Sequence, residues 1–250
     1  MDLVILTGAS RGLGRALAEQ LLAPARRLLT IAGHPDTALD ALAESRGAQL
    51  DQWALDLGHD VGVAARLEAW LHLLPAERFE RATLINNAAL LGTVGPIDRS
   101  DADALAAVLR VDLEAPMLLS AAFLRATRPW QAKRRVLNIS SGAGRSPIAG
   151  WAAYCAAKAG LDHFARVTAL DEQLLPNPAK IVSLAPGVID TEMQAHLRAV
   201  EGEGFPDQQR FKLLKANGQL ISPDKAAQRV LAFLERPDFG AKPVADVRND

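Results

Sequence analysis

Six short runs of Leu, Ile and Val, each followed by a longer stretch with apolar residues three and four apart, leave this chain few folds to choose from. The runs occupy residues 3–6, 28–32, 53–55, 84–85, 136–139 and 181–184. A run that is apolar throughout is a strand buried on both faces, which is how strands of a parallel sheet read. Segments 13–22, 37–44, 61–74, 103–126, 152–175 and 226–235 carry helical spacing. Pro24, Pro75, Pro129 and Pro176 fall where helices must stop, because proline has no N–H to give the preceding turn. Alternating strand and helix predict an α/β fold, a doubly wound parallel sheet with helices on both faces. A last short strand at 244–247 is expected to close the sheet edge.

The 250 residues hold no internal repeat, low-complexity tract or Pro/Ser-rich linker, so residues 1–250 are expected to form one domain. Segment 191–220 differs from the rest. It is polar, carries Gly202, Gly204, Pro206 and Gly218, and is longer than a usual connection, so a lid or binding loop is expected there. A net charge of −1 supplies no basic surplus for nucleic acid or an anionic membrane. The single Cys155 has no internal disulfide partner, and the five His show no ligand spacing, so no metal site is expected. The first apolar run is short and preceded by Asp2, and the apolar stretch 115–124 falls short of the ~20 residues that span a bilayer. A cytoplasmic location is expected.

The first strand runs into Thr7-Gly8-Ala9-Ser10-Arg11-Gly12-Leu13-Gly14, after which helical periodicity begins. Glycines between strand and helix let backbone N–H groups approach a pyrophosphate and let the helix pack closely on the sheet, a Rossmann-type arrangement. An acid ending the second strand would accept hydrogen bonds from an adenosine ribose and repel a 2′-phosphate. That strand ends instead in Ile31-Ala32-Gly33-His34, and Arg11 offers a planar, permanently charged fork for phosphate. NADP(H) is therefore the expected cofactor, with His34 as an accessory contact.

Tyr154 and Lys158 stand four residues apart on an expected helix, so both side chains lie on one face. A free phenol titrates near about 10, and a neighbouring ammonium lowers that value, so the pair suits proton transfer.

With these features in order, the chain resembles the short-chain dehydrogenase/reductase family along nearly its whole length. Residues 7–14 resemble the family's cofactor loop, Asp56-Leu57 its adenine-contacting pair, and Asn86-Asn87-Ala88-Ala89 the Asn-Asn-Ala-Gly after its fourth strand. Ser141, thirteen residues before Tyr154, resembles the catalytic serine, and Pro186-Gly187-Val188-Ile189-Asp190-Thr191 the segment that grips the nicotinamide carboxamide. The resemblance implies carbonyl reduction with Tyr154 as proton donor, Ser141 hydrogen-bonding the substrate oxygen, and Lys158 binding the nicotinamide ribose and stabilising the phenolate. It also implies a small-molecule carbonyl substrate and a homodimer or homotetramer built through helices 103–126 and 152–175.

Two positions depart from the pattern. Ala89 replaces a glycine and adds a methyl near the cofactor. Asp112 stands where the resemblance implies an Asn that relays protons through water toward the lysine. A carboxylate there is expected to pair with Lys158, raising the lysine's pKa and cancelling part of its field at Tyr154. Within the family, Gly150-Trp151-Ala152-Ala153-Tyr154-Cys155 and Leu213-Leu214-Lys215-Ala216-Asn217-Gly218 resemble the sepiapterin reductase and benzil reductase subgroup. That implies a vicinal dicarbonyl substrate, on a pteridine side chain or in a diketone, with Trp151 as an aromatic wall and Asp246 as a pteridine anchor. A catalytically quiet NADP(H)-binding sensor, or an alcohol dehydrogenase of another substrate class, is the competing reading.

Overall fold

The computed structural model describes residues 1–60, 62–200 and 204–249. Seven strands form one sheet in the order β3-β2-β1-β4-β5-β6-β7, every neighbouring pair parallel. They are β1 (Asp2–Thr7), β2 (Arg26–Ala32), β3 (Gln49–Ala54), β4 (Arg81–Asn86), β5 (Lys133–Ile139), β6 (Lys180–Ala185) and β7 (Val244–Asp246). The helices are α1 (Gly12–Leu21), α2 (Thr37–Ser45), α3 (Val63–His72), α4 (Ala102–Leu109), α5 (Ala115–Ala126), α6 (Ala152–Gln173), α7 (Glu192–Ala199), α8 (Gln208–Ala216) and α9 (Pro223–Leu234). The expected helix 61–74 begins at Val63, and Val61 lies outside the described residues.

Successive strand residues point to opposite faces, and both faces are apolar. Val4 and Leu6 pack with α1, α2 and α9, while Leu3 and Ile5 pack with α3, α5 and α6. Strand order reverses between β1 and β4, and such a switch point opens a crevice at the carboxyl ends of the strands.

The helix expected across 103–126 is not uniform. Residues Arg110–Glu114 form a π turn between α4 and α5, closed by the Ala115 N–H donating to the Arg110 carbonyl five residues back. Pro116 supplies the reason: it has no N–H to offer the Asp112 carbonyl, so an α-helical ladder cannot run through this point. The π turn aims Asp112 inward, where it is fully buried.

Segment 191–220 is partly helical, containing α7 and α8; its Gly202 lies outside the described residues. Among the described residues no helix is long and apolar enough to cross a membrane.

Candidate active site

Loop 7–14 leaves the end of β1 at the switch point, beside the end of β4. Asn87 braces it, its side-chain amide donating to the carbonyls of Thr7 (3.0 Å) and Gly8 (3.1 Å). Thr7 Oγ1 in turn accepts the backbone N–H groups of Asn87 (2.9 Å) and Ala88 (3.0 Å). Packing here leaves no room for a side chain at Gly14, where a Cβ would fall 1.9 Å from the Gly8 carbonyl oxygen. Thr191, just past β6, also reaches the loop, since a Cβ at Gly12 would lie 3.3 Å from its methyl. Segment 186–191 is pinned by backbone bonds between Ile221 and both Val188 and Asp190. Ser10 and Arg11 are exposed, Leu13 is buried, and Arg11 pairs with Glu192 at 3.1 Å.

Tyr154 and Lys158 rise from the first turns of α6, both buried, with the ammonium 5.4 Å from the phenol ring centre. Ser141 follows β5 and caps a short turn, Gly142–Gly144, by accepting the Ala143 N–H (3.2 Å). That turn lies flat on α6: a Cβ at Gly144 would stand 2.8 Å from the Lys158 carbonyl. Ser141 is thereby brought to Tyr154, and its hydroxyl favours the ionised phenol.

Lys158 Nζ donates to the Ile139 carbonyl (3.2 Å) and lies 3.1 Å from Asp112 Oδ2, while Asp112 Oδ1 accepts the Leu90 N–H (2.7 Å). Among the described residues Oδ2 accepts no hydrogen bond, so that contact is an ion pair. Burial disfavours the ammonium, but Asp112 and Tyr154 outweigh it and the Lys158 pKa is raised. Burial likewise raises Asp112, with Lys158 and the Leu90 N–H pulling against it. The pairing expected from the sequence is present. Tyr154 runs against the simpler expectation of a phenol lowered toward neutrality. Burial holds it above its ordinary value, Lys158 and Ser141 lower it only in part, and Asp112 pushes it further up.

Other sequence candidates occupy the same carboxyl edge with different roles. Asp56, past β3, is exposed and held below the usual carboxylate range by the Gly58 N–H and then His59. Leu57 beside it is half-buried, as are Asn87, Ala88 and Ala89, while His34 past β2 is exposed. Asp246 is buried and engaged by Arg248 at 2.8 and 2.6 Å, with Arg145 at 3.9 Å, so in this structure it serves an internal ion network rather than an open anchor.

Trp151 is buried, edge-on to Tyr154 with ring centres 5.7 Å apart, and near-parallel to Phe205 (5.9 Å) and Phe211 (5.3 Å). The sequence reading missed both phenylalanines. Their signal is there, two aromatic residues in an otherwise polar segment, but nothing local shows that they fold back over the tyrosine.

Residues 2–202 match the family model for short chain dehydrogenase. The chain belongs to the short-chain dehydrogenases/reductases and is an oxidoreductase of that family. Among its relatives, benzil reductase ((S)-benzoin forming) of Bacillus cereus is 36% identical over 239 residues, covering 96% of this chain and 96% of that protein. Sepiapterin reductase of Meriones unguiculatus is 36% identical over 248 residues, covering 94% of this chain and 92% of that protein. The crystal structure of the KRED1-Pglu enzyme matches with a TM-score of 0.80 at 29% identity, covering 97% of this chain and 99% of that one.

Members of the family use a nicotinamide dinucleotide, and the residues present fit one. The glycine loop offers its backbone to a pyrophosphate. A Cβ at Gly33 past β2, or at Gly142 past β5, would meet no atom within 4 Å, so space is left on either side of the loop.

Proposed function

We propose that the protein is an NADPH-dependent reductase of small ketones or 1,2-dicarbonyls, of the benzil-type diketone or sepiapterin-like side-chain class. The observation that carries this reading is the convergence of Ser141, Tyr154 and Lys158 beneath the rings of Trp151, Phe205 and Phe211. When bound, the nicotinamide dinucleotide supplies the hydride. Tyr154 gives its proton to the substrate oxygen as general acid, and Ser141 donates a hydrogen bond that orients the same oxygen. Lys158 holds the nicotinamide ribose and limits the cost of the phenolate that remains. The aromatic cluster excludes water and offers flat apolar faces to an aryl or pteridine group.

Preference for NADPH is supported by Arg11 and by the absence of an acid at the end of β2, where Gly33 and His34 stand. Thr7, Gly8, Gly12, Gly14, Asp56, Asn87, Pro186 and Thr191 are assigned to cofactor contact. We read the chain as one domain in which segment 191–220 acts as the lid. Exposed Met117 and Leu118 on α5 and Val167 and Leu170 on α6 support a homo-oligomer built through these helices.

Oxidation of NADPH and NADH followed with benzil, 1-phenyl-1,2-propanedione and sepiapterin tests the reading. Turnover with at least one dicarbonyl, faster with NADPH, is expected. Tight NADPH binding without turnover of any carbonyl would favour the quiet sensor.

A further inference from the structure

The buried carboxylate beside Lys158 does more than pack. Asp112 has no exposed surface and Lys158 is 2% exposed. Their charged atoms lie 3.1 Å apart, so solvent screens the pair little. Other groups around the ammonium come from three elements. From α6 they are Tyr154 and Asp162, the latter already committed to Arg145 (3.0 Å) and Ser183 (2.6 Å). From β5 comes the Ile139 carbonyl. From the connection after β4 comes the Leu90 N–H, which binds Asp112 and fixes its aim. Asp112 is thus the charge that most directly opposes Lys158.

We propose that Asp112 is a positioning residue that neutralises Lys158 and so widens the pH range over which Tyr154 keeps its proton and the site reduces carbonyls. A lone buried ammonium would favour the phenolate; an ammonium paired at 3.1 Å presents Tyr154 with little net field. The inference rests on the reductase reading for its consequence, but its electrostatic part is tested without substrate.

Tyr154 is the only tyrosine in the chain, so the near-ultraviolet absorption of phenolate reports this residue alone. Cofactor-free wild type, Asp112→Asn and Asp112→Ser are titrated with alkali. Asn keeps an oxygen for the Leu90 N–H, and Ser removes the charge by another route should one variant fold poorly. The tyrosine midpoint is expected to fall by roughly 1 unit in either variant. With benzil and NADPH, and with benzoin and NADP⁺, the alkaline limb of reduction and the acid limb of oxidation are expected to move together to lower pH. A midpoint coinciding with wild type in a folded variant overturns the proposal, as does a lowered midpoint with both kinetic limbs unmoved. Should wild type turn over no carbonyl, the reductase reading fails by itself, and an unmoved titration would still overturn the charge claim.

Discussion

In the proposed reduction the phenol of Tyr154 is the group on which the chemistry turns, and its neighbours fix what it can do. Burial and Asp112 raise it, whereas Lys158 and Ser141 lower it, and the first two prevail. Tyr154 is therefore protonated across the neutral range, the state that the proposed carbonyl reduction requires. Replacing it with phenylalanine removes the proton donor and little else, since the ring keeps its edge contact with Trp151. Tyr154→Phe is expected to cost roughly 10²–10⁴-fold in turnover while NADPH affinity, read by fluorescence titration, stays near wild type. Near-normal turnover would refute the assignment. Tyr154 and Lys158 drew attention by their spacing, and Ser141 by its place in the family resemblance. The balance of fields on the phenol was not legible, because Asp112 is 46 residues from Lys158 in sequence and only folding places the two in contact.

Elements deliver these groups through close backbone approach. Gly14 opens α1 against the Gly8 carbonyl and the Asn87 amide, where a Cβ would stand 1.9 and 2.4 Å away. Both neighbours are tied into the loop, so neither can yield cheaply. Gly14→Ala is expected to lower NADPH affinity at least tenfold and to reduce the unfolding temperature, measured by titration calorimetry and thermal melts. Unchanged affinity would show that the loop has slack. The inner strands were readable because their buried stretches are largely apolar, as at Val136 and Leu137 of β5, whereas the half-buried edge strand β3 showed only its end at 53–55. The π turn was not, although Pro116 marks it: helical periodicity over 103–126 looks continuous whether one residue is looped out or not. Phe205 and Phe211 escaped notice for a related reason. Segment 191–220 reads as polar, and the aromatic partner that buries them, Trp151, stands at the start of α6, far off in sequence.

Across the whole molecule, the opposite edge of the sheet carries a second set of buried charges. Glu172, near the end of α6, accepts the Ala179 N–H before β6 (2.7 Å), pairs with Arg134 of β5 (3.2 Å) and takes both Arg128 nitrogens, one of them at 3.0 Å. One carboxylate thus ties a helix, a strand and two connections together. Burial raises its pKa, but Arg128, the Ala179 N–H and Arg134 more than compensate, and the net shift is downward. With the folded value below the unfolded one, the stability it adds is complete above the ordinary glutamate range and is lost as pH falls through the lowered value. Glu172→Gln leaves Arg134 buried without its counter-charge. It is expected to cost roughly 3–5 kcal/mol, about 10 °C in the unfolding temperature, and to flatten the loss of stability on acidification. Equal melting curves for both proteins from acid to neutral pH would contradict this. The clasp gathers the amino ends of β5 and β6, while Ser141, Tyr154 and Lys158 gather at the carboxyl ends, almost the full length of a strand apart. Truncating the buried Trp151, Phe205 or Phe211 must cost stability at the carboxyl ends, but it leaves this clasp untouched and draws on the reserve the clasp supplies.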